Sequence, residues 1–365
     1  MKTNVAAPVL PPARIGIIGG GQLARMMACA AFSLGYDVHV YSDRPDDPAL
    51  RVTPFSTIAP YTDEEALKNF ALSVDVATYE FENLPATSLE IVAALTSLRP
   101  GAPALRVAQH RLKEKTFANA RGVPTALFVP LSSADELWSA YSRFGENGVV
   151  KTCTLGYDGK GQTRLKPGMA KKDVAAAWNA LNVDEAIWEN FVPFVKEFSV
   201  TAARGAGGEF IAFPPAENIH KNGILYSSAV PAAITEGALS LAVRHTKALA
   251  DTLEYVGVMA AEYFLLEDGA VLLNEIAPRP HNSAHWTADA CMTGQFEQHI
   301  RAVCGLPLGA TDLLCSAFMY NLIGKEAKEC ASALERPFAK FRFYGKTKAA
   351  PERKMGHVTE LTPFS

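Results

Sequence analysis

The chain has 365 residues, of which 48% are hydrophobic and 20% charged, with a formal net charge of −3. That length exceeds one ordinary core and implies two or three domains, and the composition is that of a soluble globular protein. The charge balance implies no polyanion-binding surface and no local basic patch stands out, so no nucleic-acid partner is expected. Cysteines at 29, 153, 291, 304, 315 and 330 show no C-x-x-C pair and no histidine spacing suited to zinc. They read as reduced thiols of a cytoplasmic protein with no structural metal. Prolines 8, 11 and 12 break the only early apolar run, which excludes a signal peptide, and no window is long enough to span a bilayer.

In chain order, residues 14–18 form an apolar strand, Gly19-Gly20-Gly21 a tight turn, 22–34 a helix closed by Gly35, and 37–41 a second strand ending at Asp43. This is a βαβ start. Gly19-x-Gly21-x-x-Ala24 fits a dinucleotide fingerprint with Asp43 as the ribose-binding acid. The same turn equally serves another phosphate ligand or a plain strand-to-helix connection. A helix near 64–72, a strand at 74–79 and a helix near 86–97 continue the alternation, and Pro100-Gly101-Ala102-Pro103 breaks it. Residues 1–110 therefore read as one open α/β domain.

A basic helix at 109–120 and the breaker Gly122-Val123-Pro124-Thr125 lead into short strands with one helix: strands at 148–152, 163–165 and 186–191, and the helix at 172–181. Between the first two strands, Gly156-Tyr157-Asp158-Gly159-Lys160-Gly161-Gln162 packs glycines whose amides can approach an anion, as in a lid over nucleotide phosphates, although a hairpin turn reads the same way. It is not a Walker loop, and neither is Gly345-Lys346-Thr347. Lys151 sits at a strand end before the loop, and Glu189 and Glu197 follow. The central unit spans 111–195.

From 196 to 365 a larger domain begins with alternating strands and helices and closes with short strands. Within it, residues 260–266 and 270–276 read as a hairpin through a two-residue type I′ loop at Asp268-Gly269. In that register every cross-strand pair sums alike, and Glu262 faces Glu275. Like charges so opposed destabilise the pair, and the sequence shows nothing beside them to compensate. A divalent cation with hard oxygen ligands, brought in on a nucleotide phosphate, is the expected partner. Arg279, His281, Asn282, His285 and Trp286 cluster just beyond. A guanidinium offers planar recognition of carboxylate, bicarbonate or phosphate. A glycine loop above, a carboxylate pair below and an arginine beside the metal suit phosphoryl transfer from ATP.

These stretches resemble the ATP-grasp superfamily, and within it the 5-(carboxyamino)imidazole ribonucleotide synthases. The resemblance rests on Gly19-Gly20-Gly21-Gln22-Leu23-x-Arg25-Met26, Tyr79-Glu80-Phe81-Glu82-Asn83, the glycine loop and Glu217-Asn218-x-His220. It continues through Asn274-Glu275, residues 277–287, Asn321-Leu322-Ile323-Gly324 and Arg353-Lys354-Met355-Gly356-His357. It implies an ATP-grasp fold with a Rossmann-like N-terminal domain, and ATP-dependent carboxylation of aminoimidazole ribonucleotide with bicarbonate through carboxyphosphate, in purine biosynthesis.

By that resemblance, ATP is surrounded by Arg111, Lys151, Gly156, Tyr157, Asp158, Gly159, Lys160, Gly161, Gln162, Glu189, Asn190, Phe191, Val192, Glu197, His220, Asn274 and Glu275. Glu262 and Glu275 hold magnesium, with manganese as the alternative. Gln22, Glu80 or Glu82, Asp158, Lys160, Lys346 and Arg353 meet the ribonucleotide, whose phosphate the first glycine turn faces. Arg279, His281 and Lys346 hold bicarbonate and carboxyphosphate. The expected assembly is a cytoplasmic homodimer. Ala24 and Ala284 stand where glycine is usual, and so does Glu352, in a 346–353 segment one residue longer than usual. The chain stops soon after His357 without a terminal helix. Another ATP-grasp ligase or carboxylase is the nearest rival reading, followed by a nicotinamide-dependent oxidoreductase.

Overall fold

The computed structural model describes residues 7–156, 160–324 and 330–364. The chain opens with β1 (Arg14–Ile18), α1 (Gln22–Ser33), β2 (Asp37–Ser42), β3 (Phe55–Ile58), α2 (Glu64–Leu72), β4 (Val76–Tyr79) and α3 (Ala86–Ala93). The strands form a parallel sheet in the order β3-β2-β1-β4. Val76, Ala77, Thr78 and Tyr79 of β4 are all buried, as expected of a strand covered on both faces. α3 ends at Ala93, earlier than expected, and Leu98 then bridges to Ala77.

The breaker at 100–103 proves to be a helix start: Pro103 occupies the first turn of α4 (Ala102–Ala108), where its missing amide costs nothing. α5 (Arg111–Asn119) follows directly.

The central unit holds β5 (Phe128–Leu131), α6 (Ala134–Phe144), β6 (Gly148–Thr152), β7 (Gln162–Leu165), α7 (Lys171–Leu181) and β8 (Ala186–Asn190). Its antiparallel sheet runs β5-β8-β6-β7 with two helices rather than one. α6 was missed although its cap is legible: the Ser133 hydroxyl accepts from the Glu136 amide at 3.2 Å.

The remainder is not the simple alternation expected. Its elements are β9 (Phe194–Arg204), β10 (Phe210–Ala212), β11 (Ala216–Lys221), β12 (Ile224–Val230), α8 (Glu236–Thr252), β13 (Gly257–Leu266), β14 (Val271–Ala277), α9 (Thr287–Ala290), α10 (Gln295–Cys304), β15 (Cys315–Ile323), α11 (Cys330–Leu334), β16 (Ala339–Phe343) and β17 (Lys354–Pro363). Among the described residues the strands form one antiparallel sheet, β14-β13-β9-β11-β12-β15-β17-β16, with β10 alongside β9.

α10 leaves this sheet to complete the first domain. Phe296, Ile300, Val303 and Cys304 share a core with Ile15, Ile17, Met27 and Val38. His299, fully buried, accepts from the Val258 amide at Nδ1 (3.0 Å), so its Nε2 carries the proton and donates to the Thr78 hydroxyl at 2.8 Å. Burial pushes this imidazole down to about 3, and it stays neutral as a polar rivet between the domains.

Candidate active site

A cleft of about 1160 Å³ lies between all three regions. Of the described residues expected at the site, all line it except Gly161. Tyr157, Asp158 and Gly159 lie outside the described residues. Gly161 instead shapes the loop from behind: its carbonyl accepts from the Thr152 amide at 2.8 Å, and its φ of +67° is one that favours glycine.

The glutamate hairpin reaches the expected pairing by an unexpected route. Its loop has three residues, Glu267, Asp268 and Gly269, closed by the Leu266 amide donating to the Ala270 carbonyl at 2.9 Å, with Gly269 at φ +86°. This shifts the register by one, so Leu265 pairs with Val271 and Tyr263 with Leu273. A bulge at Asn274 shifts it back, and Glu262 faces Glu275 after all. Leu273 and Ile276 stay in the core while Asn274 and Glu275, adjacent in sequence, both line the cleft.

The pair is not without compensation, as the sequence reading assumed. Arg111 Nη1 lies 3.6 Å from Glu275 Oε2. Glu262 remains costly: burial and the facing Glu275 push it up to about 7. Behind the pair is Glu114, a third carboxylate the sequence reading missed. Its Oε1 accepts from the Ile276 amide at 2.5 Å, and burial pushes it up to about 8 despite the adjacent Lys115. Two opposed, oxygen-rich groups beside the Asn274 amide fit a hard divalent cation.

Opposite them lies a buried ion cluster. Lys151 Nζ donates to Glu189 Oε2 at 2.9 Å, and Lys115 Nζ lies 3.4 Å from Oε1. Burial alone would raise the Glu189 pKa, but Lys115 and Lys151 outweigh it and hold Glu189 at about 2. Lys115 was missed; it also donates to the Asn274 carbonyl at 3.2 Å, tying α5 to the bulge. Arg111, Glu114 and Lys115 share one helix face at i, i+3 and i+4, a signal present in the sequence.

On the β9–β11 side, His220 Nδ1 lies 2.9 Å from Glu197 Oε2. Burial lowers this imidazole, yet the Glu197 hydrogen bond and the charges of Glu262 and Glu275 raise it to about 9, so it is cationic at neutral pH.

The segment after β14 divides. Arg279 and His281 face the cleft, and Arg279 binds Glu82 through both Nε and Nη2, the latter at 3.0 Å. Burial, then the Arg279 charge, hold His281 neutral. Gln295 fixes its backbone at both ends, accepting from the His281 amide and donating to its carbonyl, each at 2.9 Å. His285 and Trp286 serve packing rather than chemistry: both are buried, His285 beside Gln295 and Trp286 donating to the Ser283 carbonyl at 2.8 Å.

The first glycine turn meets the chain's own anion. Glu80 accepts from the Gly21 amide and, at 3.0 Å, from the Ala24 amide. These are the donors that the sequence reading assigned to a ribonucleotide phosphate. A Cβ at Gly21 would fall 2.5 Å from Glu80 Oε1, so a side chain there would push the Glu80 carboxylate off the α1 amides. Asp43 pairs with exposed Arg44 at 3.6 Å. At the far wall, Lys346 Nζ donates to the Lys354 carbonyl at 2.8 Å and Arg353 Nη1 to the Lys348 carbonyl at 3.0 Å. Glu352 takes φ +67°, which is why glycine suits that position.

Comparison with known proteins settles the family. Residues 13–109 match the ribonucleotide synthetase preATP-grasp domain, 116–296 the ATP-grasp domain and 317–363 the phosphoribosylaminoimidazole carboxylase C-terminal domain. The chain is 44% identical over 353 residues to the N5-carboxyaminoimidazole ribonucleotide synthase of Brucella melitensis, covering 97% of both chains.

It belongs to the N5-carboxyaminoimidazole ribonucleotide synthase family.

The Bacillus subtilis family member is 44% identical over 354 residues, 96% of this chain and 92% of that one. A crystal structure of a family member bound to ADP superposes with a TM-score of 0.94 at 43% identity, covering 98% and 94%. The Aspergillus clavatus synthase, solved with ADP and 5-aminoimidazole ribonucleotide, gives 0.90 at 28% identity, covering 96% and 94%. As a family member the chain is an ATP-dependent, carbon–nitrogen bond-forming ligase of the ATP-grasp type, using a divalent metal. Its reaction is the ATP-dependent carboxylation of aminoimidazole ribonucleotide in purine biosynthesis, and the nicotinamide oxidoreductase reading falls.

Proposed function

We propose that the carboxyl donor is bicarbonate and that the cleft divides the work among its walls, with the domain limits 1–110, 111–195 and 196–365 read from the sequence. The observation that carries this reading is the juxtaposition of the Glu262/Glu275 pair with half-buried Arg279 in one cleft. ATP lies between the glycine loop and the hairpin. Lys151 and Arg111 lie against the phosphates, Glu197 and His220 face them from the β9–β11 side, and 189–192 edge the base. Glu262, Glu275 and Asn274 hold the metal, assigned as magnesium on the hardness of these donors, with manganese as the alternative. When bound, such an ion spreads the charge of the β- and γ-phosphates.

Arg279, with neutral His281 and Lys346, holds bicarbonate so that one oxygen attacks the γ-phosphorus. ADP departs and carboxyphosphate forms. It breaks at its carbon–oxygen bond to carbon dioxide and phosphate, and the exocyclic amine of the ribonucleotide, held by Lys346, Arg353, Lys160 and Asp158, attacks the carbon and gives up its proton to the released phosphate. A closed site keeps water from the intermediate. Glu80, which accepts from the α1 amides, and Gln22 frame the ribonucleotide end.

Exposed Phe318, Phe338 and Phe343 near the β15–β17–β16 end of the sheet support a homodimer, which light scattering tests. The free thiols support a cytoplasmic setting, and no helix among the described residues is long and apolar enough to cross a membrane. The deciding experiment measures ADP release with and without bicarbonate, each with and without aminoimidazole ribonucleotide. Release that requires bicarbonate supports the reading; release indifferent to it removes bicarbonate as acceptor.

A further inference from the structure

One cluster beside the cleft gathers three ligand types that the mechanism does not use. His110 precedes α5, Cys153 follows β6 and Glu185 precedes β8. A ring nitrogen of His110, the Cys153 sulfur and a Glu185 carboxylate oxygen lie within 4.8 Å of one another. The fold builds this meeting from the backbone outward. The Arg111 amide donates to the Cys153 carbonyl at 2.9 Å, docking the start of α5 on the end of β6. Thr152 pairs with Ala186 across β6 and β8, which sets Glu185 beside Cys153.

The side chains look like a ligand set. His110 Nε2 lies 3.0 Å from Glu185 Oε2, and its Nδ1 is buried with no hydrogen-bond partner. Cys153 is 3% exposed, while half of the Glu185 side chain reaches solvent, which leaves an entry path. Sulfur, imidazole and carboxylate together suit zinc-class ions and not magnesium, which takes oxygen ligands.

We propose that His110, Cys153 and Glu185 form a site for a thiophilic divalent cation of the zinc class, separate from the two-glutamate site. Bonds of about 2.0–2.3 Å place tetrahedral donors about 3.3–3.8 Å apart, so the wider pairs draw in, the His110–Glu185 pair at 3.0 Å opens slightly, and the fourth position is left to water. Binding replaces the thiol proton with a metal–sulfur bond, and the proton passes to solvent. The ion ties together the three segments that carry Arg111, Lys151 and Glu189, so it fixes the base of the glycine loop. The absence of zinc-like spacing in the sequence is no obstacle, because the ligands come from three separate segments.

The test titrates the reduced, chelator-stripped full chain with Cd²⁺ and with Co²⁺ in excess Mg²⁺, which saturates the oxygen site. One equivalent should bind with an ultraviolet sulfur-to-metal charge-transfer band. Cys153→Ser should abolish the band, and His110→Gln and Glu185→Gln should each weaken binding at least about tenfold. Cys29→Ser, which removes an exposed thiol, should keep it. Absence of the band in the unaltered chain, or its survival in Cys153→Ser, overturns the proposal. Undiminished affinity in the double variant His110→Gln/Glu185→Gln does so too, because sulfur alone would then be the ligand. The double variant leaves Cys153 in place and decides the matter by itself if Cys153→Ser does not fold.

Discussion

Glu82 occupies one edge of the Arg279 guanidinium, bonding Nε and Nη2. A guanidinium has a second edge, formed by Nη1 and the other Nη2 hydrogen. Glu82 thus holds Arg279 in place; Nη1 also donates to the Pro280 carbonyl at 3.3 Å, and the remaining Nη1 and Nη2 hydrogens offer a planar fork to a substrate anion.

Arg279→Lys removes both edges and keeps the charge. It should lower bicarbonate-dependent ADP release by about 10²–10³-fold with every substrate saturating. Glu82→Gln keeps the shape with a weaker acceptor, so its loss should be smaller and should appear with ATP KM unchanged. Steady-state kinetics on both variants decide this. A larger loss in Glu82→Gln would make Glu82, not Arg279, the group that meets substrate.

Glu275→Gln should abolish ATP turnover yet leave the thermal midpoint of the nucleotide-free chain unchanged or higher. Glu275 raises both Glu262 and Glu114, so its removal relieves two buried carboxylates. Arg111, its partner at 3.6 Å, still has Glu189 and Glu114 nearby. A fall of several degrees would mean that Glu275 supports the fold.

The stability of the metal-free chain should fall between pH 7 and 9. Glu114, at about 8 against an ordinary 4.5, and His220, at about 9 against 6.5, both keep protons in the folded state that the unfolded chain releases. A group with a raised pKa contributes stability at low pH and loses it as pH rises through the folded value. Below pH 6.5 the trend reverses, because half-buried His39 at about 4 and buried His299 and His357 at about 3 are charged only when unfolded. Glu262, titrating near 7, couples the metal: Mg²⁺ should raise the midpoint more at pH 7.5 than at pH 5.5. Scanning calorimetry across this range checks each sign. A midpoint that climbs from pH 7 to 9 contradicts the assignment.

Glu352→Gly should be neutral or stabilising by about 1 kcal/mol, since a non-glycine residue at positive φ is strained by about that much. The Lys160–Glu352 contact it removes spans 3.7 Å between half-exposed side chains, the kind of pair worth little. Denaturant unfolding measures the change; clear destabilisation would show that the ion pair outweighs the backbone strain.

Much of the site was legible because chemistry and local pattern agreed. Lys151, Glu189, Glu262, Glu275 and Arg279 lie on strands or beside a hairpin whose residue types announce them. Even so, the Glu262–Glu275 pairing followed from an idealised loop, and two deviations, an extra loop residue and a bulge at Asn274, cancelled. Neither is coded by residue type strongly enough to read in advance. Lys115 and Glu114 were missed because charged residues on a basic helix read as solvated, whereas tertiary packing buries both. The role of Glu80 at the α1 amides depends on strands β1 and β4 being neighbours, which no local pattern states.

The seating of α10 in the first domain has a consequence for synthesis of the chain. Residues 14–79 contain every strand of their sheet, yet α1 meets Phe296, Ile300 and Val303 only after more than two hundred further residues have been made. At about 5–20 residues per second, that is a delay of roughly 10–40 s. During it the core that holds Met27, Ala28 and Ala31 lacks the side chains of α10. The N-terminal third therefore completes its core only once α10 has been made, shortly before β15, β16 and β17 complete the large sheet.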